Sequence, residues 1–200
     1  MTITSNYPED YYRSNNYVDY MERGPRYEKM AFEIAEALKK FKFIDSKSRI
    51  LDYGCAVGFL IQGFKNAGFS HTVGFEISEW AKSVARNAGH FVLDNFSELE
   101  LQTFDLIIAL DVLEHIGDEE LKFIIPRLNA DRLLVRIPVA ASEGADFALD
   151  ISRRDKTHVN CKTKTQWQEF FKQQGYTVFL DLDLYYIYDA KGVMCTLMLK

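Results

Sequence analysis

Asp52, Gly54, Ala56 and Gly58 fall at alternate positions of the stretch LDYGCAVGFL. Ile50 and Leu51 ahead of them read as a short buried strand that Asp52 closes, and a helix is expected from about Gly58. A turn stripped of side-chain bulk lets a ligand lie against bare backbone. The first N–H groups of the helix aim at the same spot, so the chemistry on offer is the cradling of a polar ligand.

The rest of the chain must position that turn. Two hundred residues, 48% of them hydrophobic, suit one globular domain with a sizeable core. A formal net charge of -5 argues against wholesale binding to nucleic acid or an anionic membrane. Cys55, Cys161 and Cys195 are odd in number and widely spaced, which fits a reducing compartment and no disulfide framework. With neither a basic leader nor an apolar run long enough to span a bilayer, a soluble, cytoplasmic protein is expected.

Residues 1–24 form a polar but tyrosine-rich arm, with Tyr7, Tyr11, Tyr12, Tyr17 and Tyr20, expected either to pack on the domain or to act as a lid. The single domain is expected over 25–200. Pro25 opens an amphipathic helix whose stripe is Tyr27, Met30, Ile34, Leu38 and Phe41. Further along, Gly68, Gly89 and Gly175 each stop a helix just before a strand, and Ser78 is a natural N-cap. Repeated βα units of this kind imply a parallel sheet with helices on both faces. FDLIIAL at 104–110 is apolar on both sides and reads as a central strand. A helix around 118–128 and the strand RLLVRI, ended by Pro138, follow. Residues 139–162 lose periodicity, and a long irregular insertion is more often functional than idle. A helix at 164–174 leads to an antiparallel pair, 177–186 and 193–199, joined by a turn near Asp189 to Gly192.

LDYGCAVGFL resembles the glycine-rich first motif of class I S-adenosylmethionine-dependent methyltransferases, and FDLIIALDVLEHIGD is similar to the fourth motif of that family. The resemblance implies a Rossmann-like α/β fold, a seven-stranded mostly parallel sheet with an antiparallel last strand. It implies S-adenosyl-L-methionine as cofactor and S-adenosyl-L-homocysteine as product. Glu76 falls where the family binds the cofactor ribose, and Asp94 with Asn95 where adenine is recognised; Cys55, Ile77, Phe96 and Leu110 complete the expected cofactor set. Ala56 replaces the middle glycine, which is tolerable at negative φ. The physical reading agrees: a carboxylate at the end of the adjacent strand suits any nucleoside, NAD included. A pyrophosphate fingerprint needs G-x-G-x-x-G, whereas Gly58 comes one residue early. A negatively charged Asp52 also suits an ammonium and a sulfonium better than a pyrophosphate.

Methyl transfer needs little more than near-attack geometry in a dry site, but a hydroxyl acceptor must lose a proton, and histidine is the usual base. His158, within RRDKTHVN, and His115, after Asp111 and Glu114, are the candidates. No resident metal is expected, although those four residues resemble a metal arrangement found in some small-RNA and quinone-pathway methyltransferases. The preferred acceptor is a small polar molecule, possibly a sugar or a nucleotide-activated sugar whose diphosphate would meet Arg153, Arg154, Lys156, Lys162 and Lys164. A protein or RNA methyltransferase, and a binding module that keeps the cofactor without catalysis, stand as alternatives.

Overall fold

The computed structural model describes residues 7–14, 17–184 and 190–200. Residues 1–6 and 15–16 of the arm, Tyr185 and Tyr186 of the expected strand, and Asp189 of the expected turn lie outside the described residues. Two compact units, 1–106 and 107–200, divide the chain.

In the first unit, Pro25 sits in the first turn of α1 (Gly24–Lys40), where its missing N–H leaves no helix bond unmade. Met30, Ile34 and Leu38 are fully buried along its inner face, but Phe41 lies past the helix end, 46% exposed, and stacks on Phe43 instead of continuing the stripe. Then come β1 (Ile50–Tyr53), α2 (Phe59–Asn66), β2 (Thr72–Phe75), α3 (Glu79–Asn87) and β3 (Val92–Leu93), with β1, β2 and β3 paired in parallel. Gly63 lets α1 and α2 meet at backbone distance: a Cβ there would lie 2.7 Å from both the Ala31 Cβ and the Glu28 Cα. Gly63→Ala should therefore destabilise the protein by about 1–2 kcal/mol, since helix separation outweighs the helix propensity gained. Urea denaturation reads the shift, and an unchanged midpoint would show that the two helices yield freely.

Ser78 caps α3 as the sequence suggests, accepting the Ala81 N–H. A helix that sequence reading misses, α4 (Phe96–Glu100), is capped by the Asn95 side chain, which accepts the Glu98 N–H at 3.0 Å. Its five residues are too few for a periodic signal.

The second unit takes up β4 (Leu106–Leu110) from Ile107 onward. α5 (Asp118–Ile124), β5 (Arg132–Pro138), α6 (Asp150–Arg154), α7 (Lys164–Gln173), β6 (Thr177–Asp181) and β7 (Val193–Leu199) follow. β4 and β5 pair in parallel, and β7 runs antiparallel to both β5 and β6. A reciprocal capping box between Thr163 and Gln166 fixes the start of α7, whose Trp167 and Phe171 are fully buried. The aperiodic insertion is not wholly irregular, because α6 and a bridge between Ala140 and Phe147 lie inside it. The seven strands follow the order β3-β2-β1-β4-β5-β7-β6, the Rossmann-like mixed sheet expected, with one antiparallel strand. No helix among the described residues is long and apolar enough to cross a membrane.

Candidate active site

The turn after β1 is built on alternating left-handed residues: Gly54 has φ 80°, Ala56 45° and Gly58 88°. Ala56 thus does not adopt the negative φ at which its methyl group would be tolerated. Glu76 supplies the reason: its Oε2 accepts the Ala56 N–H at 2.8 Å while its Oε1 accepts the Ser78 N–H at 2.7 Å. The left-handed alanine aims its N–H at that buried carboxylate. Such a conformation costs an L-residue about 1–2 kcal/mol. Ala56→Gly should accordingly stabilise the fold by about 0.5–1 kcal/mol, after the greater freedom of glycine in the unfolded chain is subtracted. A chemical-denaturation midpoint that failed to rise would mean the turn holds no strain. Gly58 has no such latitude, because a Cβ would lie 2.5 Å from the His90 Cδ2.

Asp52 is 4% exposed, and its Oδ2 has no hydrogen-bond partner. Burial and the neighbouring Glu76 charge push its carboxyl up to about 8. The negative charge read from the sequence is therefore absent at neutral pH, because in a dry cradle the carboxyl keeps its proton. Burial also raises Glu76, against the pull of the hydrogen bonds from Ser78 and Ala56. Each Glu76 oxygen accepts one backbone N–H and keeps capacity for a further donor such as a ribose hydroxyl. A bare-backbone turn, a carboxylate with spare acceptor sites and an orphaned carboxyl oxygen fit a nucleoside that carries an ammonium.

The arm packs on this cradle. Tyr12 lies 5.0 Å from the Trp80 ring and Tyr20 5.9 Å from Phe59, and both tyrosines are buried in one cluster with Val57 and Ala81. Burial raises both phenols, helped at Tyr12 by the Glu76 charge, so they stay protonated. The Ser78 hydroxyl donates to the Tyr7 carbonyl.

The remaining expected cofactor residues behave differently from one another. Cys55 is buried with its thiol pushed up by burial, Ile77 is half-buried, and the half-buried Phe96 meets Phe75 edge-on at 6.3 Å. Asp94 pairs with Arg86 at 2.7 Å, and the Asn95 carbonyl oxygen is engaged in capping α4. Leu110 is half-buried at the end of β4.

In the second unit, the loop after β4 bends at Asp111, whose φ is 57°. Of the four-residue metal arrangement suggested by the sequence, Asp111 pairs its Oδ2 with the fully buried Arg136 of β5, and its Oδ1 has no hydrogen-bond partner. The other three members do converge. Glu114 is fully buried with both carboxylate oxygens lacking a hydrogen bond, and its Oε1 lies 3.8 Å from the His158 Nε2. His115 and His158 meet edge to face with ring centroids 4.5 Å apart. One polar atom from each of the three lies within 4.8 Å of the others, a spacing compatible with a cation.

Backbone hydrogen bonds bring these distant segments together: the Glu114 carbonyl accepts the Val159 and Asn160 N–H groups, both at 2.9 Å. The Asn160 side chain adds bonds to the Ile116 carbonyl and Asp118. Burial, then the Asp111 charge, raises Glu114 well above the ordinary carboxyl range. Burial and the adjacent His158 lower His115 to about 4, and burial lowers His158 as well. Both imidazoles are neutral at pH 7, and both residues are half-buried, with the His158 side chain 6% exposed. Asp155, Thr157, Asn160 and Arg136 escape sequence reading. The density of short polar residues in DKTHVN is the one signal that points to the first three, because such residues bond to nearby backbone.

Basic residues of the insertion are largely engaged: Arg153 pairs with Asp150, Lys162 with Asp118, and Lys164 with Asp181 at 2.6 Å.

Known proteins resemble the chain over most of its length. The family described as a methyltransferase domain matches residues 23–180. The ubiquinone biosynthesis O-methyltransferase of Hahella chejuensis (strain KCTC 2396) is 27% identical over 173 residues, covering 72% of this chain and 69% of that protein. Among solved structures, magnesium protoporphyrin IX methyltransferase from Synechocystis PCC 6803 with bound SAH has a TM-score of 0.66 at 17% identity, covering 96% of this chain and 97% of that one. The mitomycin 7-O-methyltransferase has a TM-score of 0.67 at 15% identity, covering 92% of this chain and 56% of that one. Since the matched stretch takes in the glycine turn, Glu76 and the histidine pair together, the chain belongs to the methyltransferase-domain family and is an S-adenosylmethionine-dependent enzyme of it.

Proposed function

We propose that this methyltransferase moves the methyl group of S-adenosylmethionine to a hydroxyl of a small molecule, with His115 receiving the hydroxyl proton. The observation that carries the reading is the neutral His115 imidazole, half-buried like the His158 beside it and with its Nδ1 2.8 Å from the Thr157 hydroxyl. A hydroxyl, unlike an amine with a free lone pair, needs such a base. The acceptor oxygen forms a bond to the methyl carbon as the carbon–sulfur bond breaks; sulfur keeps the electron pair, and the proton goes to His115. Similarity to an O-methyltransferase supports the same class of acceptor. A nucleotide-activated sugar draws less support, because Arg153, Lys162 and Lys164 are already paired with carboxylates. Protein and RNA acceptors are disfavoured by the acidic net charge. The tyrosine arm, packed on the cofactor turn, is read as its lid, and three free cysteines suit the cytoplasm.

A labelled-methyl screen of phenols, catechols, sugars and sugar nucleotides tests the reading. An O-methyl product retained after exhaustive chelation supports it. An N- or S-methyl product, or activity lost on chelation and restored only by a divalent cation, overturns His115 as a metal-free base.

A further inference from the structure

A single hydroxyl proton decides how His115 faces its task. The Thr157 hydroxyl lies 2.6 Å from the Asp155 Oδ1 and 2.8 Å from the His115 Nδ1. A threonine hydroxyl has one proton to donate. Asp155 is the stronger claimant: although burial raises it, the hydroxyl and N–H of Thr157 and the two histidines hold its carboxyl below the ordinary value, so it is an ionised acceptor. Its Oδ1 also accepts the Thr157 N–H at 3.0 Å, which fixes that oxygen in place. The hydroxyl proton is therefore spent on the carboxylate, in a short charge-assisted bond. The Thr157 oxygen is left as an acceptor, and the 2.8 Å contact to Nδ1 requires a proton on that nitrogen.

We infer that Asp155 and Thr157 are positioning residues that hold His115 as its Nδ1–H tautomer, leaving the Nε2 lone pair as the base. The same hydrogen bonds fix the orientation of the ring as well as its tautomer, as the acid behind a catalytic histidine does. His158, edge-on to the ring at 4.5 Å, and the clamp of Val159 and Asn160 on the Glu114 carbonyl keep both partners from drifting apart. The catalytic part of the inference rests on the proposed function; the tautomer does not.

Long-range proton–nitrogen correlation spectra of the full chain labelled with 15N-histidine test it, His115 being assigned by the signals that vanish in His115→Gln. A protonated Nδ1 and bare Nε2 are expected. Thr157→Val, which keeps the shape and removes the hydroxyl, should convert His115 wholly or partly to the Nε2–H form. It should lower kcat by about 10–100-fold with little change in acceptor KM, and Thr157→Ser should restore both spectrum and rate. A protonated Nε2 in the unmodified protein overturns the inference without reference to any variant, as does an unchanged tautomer in Thr157→Val. If the tautomer is as stated and His115→Ala keeps its turnover, the positioning stands and the base assigned under the proposed function falls.

Discussion

Binding of S-adenosylmethionine at pH 7 will release about one proton per chain, and affinity will rise about tenfold from pH 6 to 7 and about fivefold from pH 7 to 8. Asp52 is the source. Its carboxyl is pushed up to about 8 by burial and by the Glu76 charge, so it is protonated before the cofactor arrives. An ammonium or sulfonium placed beside it favours the ionised form and expels the proton. Calorimetry in two buffers of different ionisation enthalpy counts that proton directly. Asp52→Asn should abolish the release and flatten the pH dependence, and proton-neutral binding by the unmodified protein would refute the assignment. S-adenosylhomocysteine keeps the ammonium and lacks the sulfonium, so an equal release with both ligands identifies the ammonium as the partner. The same shift sets a stability trend without cofactor. Unfolded Asp52 ionises near 3.8, while the folded form keeps its proton to about 8. The folded state therefore binds the extra proton between those values, and this contribution to stability is fully present below about pH 4 and lost as pH rises to about 8.

Replacing His115 by alanine will reduce turnover about 10²–10⁴-fold and leave the affinity for S-adenosylhomocysteine within about twofold, the range expected when a general base is removed. The second histidine makes the test specific. His158 is wedged 3.8 Å from both Glu114 and Asp155 and packs against the His115 ring, so His158→Ala should cost less turnover and more stability. Steady-state kinetics on the acceptor returned by the methyl screen, alongside thermal denaturation, separates the two effects. A His115→Ala enzyme within about tenfold of the original rate would remove proton abstraction from the mechanism.

Local signals carried much of the fold because they act over a few residues. Ser78 caps α3 and the apolar run of β4 is buried, as their sequences dictate. The five-residue α4 and α6 were not legible, since one turn of helix shows no period.

What the sequence by itself determined is the glycine turn after β1 and the acid that follows β2: Gly54, Gly58 and Glu76 are placed by a strand–turn–helix unit, and the structure puts a Glu76 oxygen 2.8 Å from the Ala56 N–H. What only the tertiary structure decided is the electrical state of these groups and the company they keep. The charge of Asp52 depends on how much water its fold excludes, and the left-handed Ala56 on a carboxylate twenty positions away. The pairing of Asp111 with Arg136, and the chain from Asp155 through Thr157 to His115, join residues with no local pattern linking them. Burial and hydrogen-bond direction are properties of the assembled surroundings, and those form only when the chain folds back on itself.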